Sequence, residues 1–184
     1  MSAIMGAESA RKVVLVTGAP GAGKTSVAEP LAAALRFPLL SKDPIKEALF
    51  DALDGRAGDL AQSRKFSDAA IAVMLALAGQ FSQVVLEANF HPHNMRERER
   101  IKSLANKIVE VYCCCPAEEM ARRFAERAAS TRQHPAHSLK SLSPELLAKY
   151  DGPIGIGTVI RIDTSRPVNI NELAGKTREA LSER

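Results

Sequence analysis

The sequence predicts a doubly wound α/β domain with a five-stranded parallel sheet. Short apolar runs rich in β-branched residues alternate with helical patterns, which is typical of βαβ units. The length of 184 residues and the composition, 46% hydrophobic and 25% charged, fit one globular domain. The predicted strands are Lys12 to Thr17, Phe37 to Leu40, Gln83 to Glu87, Ile108 to Cys114 and Thr158 to Ile162.

The first strand leads into the most informative motif of the chain, at residues 18–25. Its sequence Gly-Ala-Pro-Gly-Ala-Gly-Lys-Thr matches G-x-x-x-x-G-K-[ST]. In such a loop the backbone N–H groups surround phosphates, Lys24 reaches the β- and γ-phosphate oxygens, and the Thr25 hydroxyl holds Mg²⁺. The helix predicted over 25–35 directs its positive end at the phosphates. The predicted phosphate-binding residues are Gly18, Ala19, Pro20, Gly21, Ala22, Gly23, Lys24, Thr25 and Ser26.

The second strand is followed by Asp43, which opens the helix predicted over 44–53. Because Pro44 comes next, Asp43 fits a helix N-cap with proline at the first helical position. It fits equally well a carboxylate that faces a bound hydroxyl, since ligands bind at the carboxyl edge of such sheets. The two roles are compatible. A further helix is predicted over 64–81.

Glu87 ends the third strand, where a carboxylate can hold Mg²⁺ through water or position a substrate. The alternative is a strand-end carboxylate satisfied by nearby backbone or by Lys24. Asn89, His91 and His93 follow in the loop and are candidates for contact with a substrate, although loop histidines are more often solvated. The sequence thus predicts Thr25 and Glu87 as the metal-binding pair.

The helix after the fourth strand carries Arg122, Arg123 and Arg127, with Arg132 just beyond it. Arg123 and Arg127 place like charges four residues apart, which is mildly unfavourable unless an anion compensates. A polyphosphate would do so, whereas the alternative is a solvated helix on which Glu119 pairs with Arg123. Approximately residues 125–157 are rich in turn formers and are expected to form a mobile lid.

His134 and His137 lie in this predicted lid without Cys, Asp or Glu ligands in the neighbouring turns, so no metal site is expected there. A gating or turn role is expected instead, since lid loops exclude water. The remaining turn formers of the lid surround one short helix, predicted from Pro144 to Tyr150.

The overall composition of the chain limits the classes of partner and the cellular location that can be expected. The mild net charge of +4 suits anionic substrates and by itself decides nothing about partners, whereas the aromatic content of only 4% argues against a nucleic-acid groove. Three adjacent cysteines at 113–115 can form neither a disulfide framework nor a spaced zinc set. Neither a signal peptide nor a membrane span is predicted, so a cytoplasmic protein is expected, with a flexible terminus at 1–10 and one domain over 11–184. Its oligomeric state stays open.

Two other nucleotide-binding classes lack their motifs here. A guanine motif would need Asn-Lys-x-Asp, but Asn106-Lys107 is followed by Ile108-Val109. A dinucleotide fold would need a third glycine after Gly21-Ala22-Gly23, where Lys24 stands instead. The missing guanine motif favours ATP without excluding GTP.

The chain resembles P-loop small-molecule kinases of the AAA-domain-like kinase family, whose relatives include zeta toxin, chloramphenicol phosphotransferase, polynucleotide kinase, and shikimate and gluconate kinases. The phosphate loop is the most specific part of the resemblance, which covers most of the chain. The other motifs that carry it are Ser41-Lys42-Asp43-Pro44-Ile45-Lys46-Glu47-Ala48-Leu49, Val85-Leu86-Glu87-Ala88-Asn89-Phe90, the arginine-bearing helix from Glu118 to Ala129, and Ile162-Asp163-Thr164-Ser165.

The resemblance implies a three-layer P-loop NTPase fold with a helical lid. It also implies an ATP- and Mg²⁺-dependent kinase that phosphorylates a hydroxyl of a small molecule, with Asp43 as the base that accepts the hydroxyl proton. Arg123, Arg127 and Arg132 would be lid cations acting with Lys24 in catalysis, and the loop bearing Arg166 would bind the adenine. Two alternatives are a polynucleotide-end kinase and an ATP-binding regulatory module without acceptor turnover.

Overall fold

The computed structural model describes residues 11–131 and 133–183. Five parallel strands form one sheet in the order β2-β3-β1-β4-β5. This confirms the predicted α/β class with a parallel sheet of five strands. The predicted flexible segment 1–10 lies outside the described residues. The strands are β1 Lys12–Thr17, β2 Leu39–Ser41, β3 Gln83–Glu87, β4 Lys107–Cys114 and β5 Thr158–Asp163.

Helices cover both faces of the sheet and give it three layers. Val14 and Val16 of β1 pack against α1 and α7. Val13 and Leu15, which alternate with them, pack against α3 and α4 on the other face. A strand buried on both faces must be apolar throughout, which explains the continuous hydrophobic run of β1. The helices are α1 Lys24–Leu35, α2 Lys42–Ala52, α3 Leu60–Ala78, α4 Met95–Lys102, α5 Ala117–Ala129, α6 Pro144–Ala148 and α7 Ile170–Ser182.

The second strand begins two residues later than the sequence predicts. Arg36 ends α1 in the left-handed conformation, and the backbone N–H of Phe37 donates to the carbonyl of Ala32. Phe37 therefore belongs to the helix cap. Pro38 has no N–H to give to a strand ladder, so β2 starts at Leu39.

The second long helix, α3, starts earlier than predicted. The side chain of Asp59 accepts a hydrogen bond from the backbone N–H of Gln62 and caps α3 at Leu60. The helix ends at Ala78, just before Gly79. α3 therefore covers 60–78 rather than the predicted 64–81.

A buried carboxylate in β4 holds the end of the segment between α5 and β5 against the core. Residues 125–129 belong to α5, and Ile154 and Ile156 are buried in the core. Glu110 of β4 is fully buried and accepts hydrogen bonds from the Thr17 hydroxyl and from the backbone N–H groups of Ile154 and Gly155. The part of the predicted lid that lies outside α5 and outside this core cluster therefore falls within 130–153, where Ala136 is buried in a separate cluster with Phe50 and Phe66.

Among the residues that the structure describes, no helix is long and apolar enough to cross a membrane.

Candidate active site

The phosphate loop connects β1 to α1 through three glycines with positive φ. These are Gly18, Gly21 and Gly23, at φ 136°, 82° and 74°. A side chain at Gly18 would collide with the backbone carbonyl of Cys113, and one at Gly21 with that of Met120. The loop therefore needs glycine for its conformation and for the close approach of β4 and α5.

Lys24 is held across this loop. Its Nζ donates to the carbonyl oxygen of Ala19 at 2.9 Å. Burial lowers the pKa of Lys24 from 10.5 to about 8, against the opposing influence of the nearby carboxylates Glu87 and Asp43. A polyphosphate in the loop would favour the charged ammonium, so the site is electrostatically suited to a nucleotide.

Thr25 and Glu87 meet at the edge of the sheet, as the sequence predicts. The Thr25 hydroxyl donates to Glu87 Oε1 at 3.0 Å, and Glu87 is 6% exposed. The ends of β1 and β3 lie side by side, since Val16 is in register with Glu87. A hydroxyl and a carboxylate beside a phosphate site are the hard oxygen ligands that Mg²⁺ prefers, so these residues fit that ion.

Asp43 lies in the first turn of α2 and does not cap it. The N-cap is Ser41, and the structure assigns α2 no capping hydrogen bond from a side chain, so the N-cap interpretation of Asp43 is wrong. Desolvation alone would raise the pKa of Asp43, but the positive charges of Lys42, His137, Lys24 and Arg127 together outweigh it and lower the pKa to about 2. The carboxylate is therefore ionised near neutral pH.

A polar wall stands beside Asp43, formed by Lys42, Asn89, His91 and Tyr150. Lys42 Nζ lies 2.5 Å from Asn89 Oδ1 and 3.4 Å from Asp43 Oδ1. The Tyr150 hydroxyl hydrogen-bonds with the Asn89 side chain and lies 3.2 Å from His91 Nε2, while the Tyr150 and His91 rings stack at 4.5 Å. The wall thus connects the ends of β2 and β3 to Tyr150, which follows α6.

A cleft of about 300 Å³ lies on the opposite side of the phosphate loop. Its lining includes Gly23, Ser26, Arg123, Thr164 and Arg166. The Thr164 hydroxyl lies 3.0 Å from the carbonyl of Ala22, and Arg123 donates to the Thr164 carbonyl at 3.0 Å. The structure thus places Arg166 beside the loop, and places Arg123 in the same cleft.

The described members of the predicted arginine set, Arg122, Arg123 and Arg127, differ in the contacts that they make. Arg123 pairs with Glu119 at 2.6 Å and faces the cleft. Arg122 is exposed and pairs with Glu119 and Glu126, as expected for a solvated helix face. Arg127 stacks on Phe124 and acts on Asp43 through its charge. The predicted cation Arg132 lies outside the described residues.

The two histidines of the predicted lid, His134 and His137, contact α2. His137 Nε2 lies 2.7 Å from Glu47, and His134 Nε2 lies 3.3 Å from Asp51, one turn further along that helix. The Ser63 hydroxyl of α3 donates to the carbonyl of Ala136 between them. The loop around 133–137 is therefore docked on α2 and α3. His93 is exposed near the start of α4.

Sequence reasoning missed Lys42, Tyr150 and Thr164 as site residues. Lys42 stands directly before Asp43 in the sequence, and this position was a signal from which it could have been predicted as a site residue. Tyr150 and Thr164 reach the site through contacts across the sheet edge, for which the local sequence holds no signal.

The fold and the phosphate loop define the class of protein, which is that of the P-loop kinases. The chain belongs to the AAA domain family, because the model of that family matches residues 13–145, more than half of the chain. None of the curated proteins gives a significant match to the whole sequence.

Solved structures similar to this chain include three kinases. A proposed kinase from Chloroflexus aurantiacus J-10-fl is 25% identical, with a TM-score of 0.80 over 94% of this chain and 99% of that one. APS kinase from Mycobacterium tuberculosis, in complex with AMPPNP and APS, is 19% identical, with a TM-score of 0.60 over 95% and 99%. Shikimate kinase from Acinetobacter baumannii, in complex with shikimate, is 20% identical, with a TM-score of 0.57 over 92% and 91%. The predicted resemblance to P-loop small-molecule kinases is confirmed.

Proposed function

We propose that the protein is a kinase that transfers the γ-phosphoryl group of ATP to a hydroxyl of a small molecule. The observation that carries this proposal is the arrangement of Lys24, Thr25, Glu87 and Asp43 at one sheet edge. The first three suit a nucleotide with its metal ion, and Asp43 is a carboxylate whose ionisation responds to the charge of Lys24. A structural phosphate loop would need no such carboxylate.

The cleft beside Arg123 and Arg166 is the proposed place for the nucleotide base. It adjoins Gly23 and Ser26 at the start of α1, so a nucleotide in the loop can extend into it. The phosphates then lie over β1 and the N-terminal end of α1, where backbone N–H groups and the helix dipole favour negative charge. Mg²⁺ held by Thr25 and Glu87 would neutralise charge on the phosphates.

Asp43 is the proposed partner of the acceptor hydroxyl. Because its pKa is low, it is a weak base toward a free alcohol and acts first by accepting a hydrogen bond that orients the hydroxyl. As the bond from the hydroxyl oxygen to the γ-phosphorus forms and the bond to the β-phosphate oxygen breaks, the hydroxyl becomes acidic. Its proton then passes to Asp43, and ADP leaves.

Residues of the predicted lid support this proposal because they contact α2 close to Asp43. His137 lies on Glu47, one turn beyond Asp43, and contributes to the low pKa of Asp43. A closed lid excludes water, which would otherwise compete with the acceptor for the phosphoryl group. Residues 130–153 are therefore the proposed lid.

The test is a mass-spectrometric screen with ATP, Mg²⁺ and a library of hydroxyl compounds that includes sugars, sugar acids, nucleosides and oligonucleotides. The Asp43→Asn variant should lose transfer by at least two orders of magnitude while still binding AMPPNP, because it loses hydroxyl orientation and keeps the phosphate loop. Asp54→Asn is the matched control, since Asp54 is an exposed residue at φ 51°, a conformation that asparagine tolerates.

Full transfer by Asp43→Asn would refute the role of this carboxylate. Nucleotide binding without any product from the library would favour the regulatory alternative. Products found only on oligonucleotides would favour the polynucleotide-end kinase.

A further inference from the structure

The positive charge and the hydrogen-bond donors beside Asp43 exceed what the binding of a neutral alcohol requires. Lys42 and Lys46 are four residues apart on α2 and therefore share one face of the helix. Burial lowers the pKa of Lys46 most, and the charge of Lys42 lowers it further, while Asp43 and Glu47 act in the opposite direction. An anion bound beside the two lysines would reduce the repulsion between them.

Lys46 is the more unusual of the two lysines. It is 5% exposed, and its Nζ donates to the Ser63 hydroxyl at 2.8 Å. Among the residues that the structure describes, no carboxylate lies within ion-pair distance of it, although Asp43 and Glu47 act on it from further away. Burial lowers the pKa of Lys46 to about 8. A buried lysine without a contacting counter-ion is destabilising, and such residues concentrate at functional sites.

Lys42 has a related environment. Its side chain is 12% exposed and contacts Asn89 Oδ1 and Asp43 Oδ1. An ammonium has three donors. Among the described residues Lys42 Nζ donates to Asn89 and pairs with Asp43, and Lys46 Nζ donates to Ser63, so both lysines keep donors for a further partner. In the polar wall, the Asn89 side chain already hydrogen-bonds with two partners: its Oδ1 accepts from Lys42, and it also bonds with the Tyr150 hydroxyl. The unused groups near Asp43 are therefore mostly donors.

We propose that the phosphoryl acceptor carries a negatively charged group, a carboxylate or a phosphate ester, which binds to Lys42 and Lys46. This inference rests on the proposed kinase function and adds to it the chemical class of the acceptor. The anionic group supplies the counter-ion that Lys46 lacks and reduces the repulsion between the two lysines. The hydroxyl of the same molecule is then directed to Asp43, which lies between the two lysines in the sequence.

The experiment uses the full chain with isotope-labelled lysine, saturated with AMPPNP and Mg²⁺ so that the phosphate loop is filled. Side-chain NMR signals of Lys42 and Lys46, assigned with K42M and K46M, are followed during titration with inorganic phosphate and, separately, with acetate. We expect saturable shifts of both signals, and apparent affinity at least about tenfold weaker in the K46M variant. The stronger of the two probes shows whether a phosphate ester or a carboxylate is the recognised group.

K65M is the matched control, since Lys65 is an exposed lysine on α3, and its variant should bind both probes as the unmodified protein does. We also expect K46M to raise the melting temperature, because methionine retains the volume of lysine without burying a charge. This result would show that the variant folds and that Lys46 is kept for binding.

Unmoved Lys42 and Lys46 signals, or equal affinity in K46M, would overturn the inference. A lower melting temperature of K46M together with unchanged anion binding would show that Lys46 serves the fold. Failure of the kinase proposal is visible separately, in the mass-spectrometric screen, as nucleotide binding without any phosphorylated product.

Discussion

Nucleotide binding should change the protonation of Lys24. Burial lowers the pKa of this lysine from 10.5 to about 8, although Glu87 and Asp43 act in the opposite direction. A bound polyphosphate brings several negative charges to Nζ and should return its pKa at least to the ordinary value. At a pH at which Lys24 of the free protein is partly deprotonated, nucleotide binding should therefore be accompanied by proton uptake.

The size of this proton uptake depends on pH. With a pKa of about 8, free Lys24 is roughly 10% protonated at pH 9, whereas at the ordinary value it is roughly 97% protonated. Binding at pH 9 should thus take up about 0.9 proton. At pH 7 free Lys24 is already roughly 90% protonated, and the uptake falls to about 0.1 proton.

The assay is calorimetric titration with AMPPNP and Mg²⁺ in two buffers of different ionisation enthalpy, at pH 7 and pH 9. Lys24→Arg should abolish the uptake at pH 9, because arginine stays charged in both states. Lys65→Arg should retain it, and K46M should retain it as well, which separates Lys24 from the second lysine with a lowered pKa. Equal uptake at both pH values, or unchanged uptake in Lys24→Arg, would refute the assignment.

Four further outcomes follow from other contacts. Glu87→Gln should weaken Mg²⁺ affinity about tenfold or more in a metal titration of turnover, with nucleotide binding in EDTA unchanged; equal Mg²⁺ affinity would exclude Glu87 from the metal site. Folding lowers the pKa of Asp43 from 3.8 to about 2. The ionised carboxylate therefore stabilises the folded protein at pH values above this range, and this contribution to the free energy of unfolding is lost as the pH falls through it. The difference in unfolding free energy between wild type and Asp43→Asn should therefore shrink between pH 4 and pH 2, and a constant difference would contradict the low pKa. Gly18→Ala should destabilise the fold by at least about 1–3 kcal/mol in denaturant titration, since φ is 136° and the new side chain meets the Cys113 carbonyl. His137→Ala should increase hydrogen exchange around 133–137 and leave that of β1 unchanged, whereas unaltered exchange would show that the contact with Glu47 does not hold the lid.

The strands and the phosphate loop could be predicted from the sequence because their causes are local. The run Val13 to Val16 is apolar throughout since both faces of β1 are covered, and the predicted bounds of β1 and β3 agree with the structure. The N-cap interpretation of Asp43 failed because α2 begins two residues before Pro44, at Lys42. Pro44 still fits there, since the first-turn N–H groups have no partner inside the helix.

The parts that could not be predicted depend on pairings between distant segments. The i, i+4 spacing predicts repulsion between Arg123 and Arg127, but Arg123 turns to Thr164, 41 residues away, and faces the cleft. Lys46 looks like an ordinary surface lysine of an amphipathic helix. It is buried, and its ammonium donates to Ser63 of α3, whose hydroxyl donates in turn to the carbonyl of Ala136, so its environment is built by two segments that are distant in the sequence.

The strand order explains how one sheet edge can serve both proposed substrates. β1 is central and carries the phosphate loop, so the phosphates lie in the middle. β4 and β5 lie on one side of β1 and lead to Arg123 and Thr164 in the cleft proposed for the base. β3 and β2 lie on the other side and lead to Asn89 and Asp43, beside which the acceptor is proposed to bind. A nucleotide that extends from the cleft into the loop therefore presents its terminal phosphate toward Asp43. The topology of the sheet thus accounts for the proposed direction of phosphoryl transfer, and the proposed acceptor site lies beside α2.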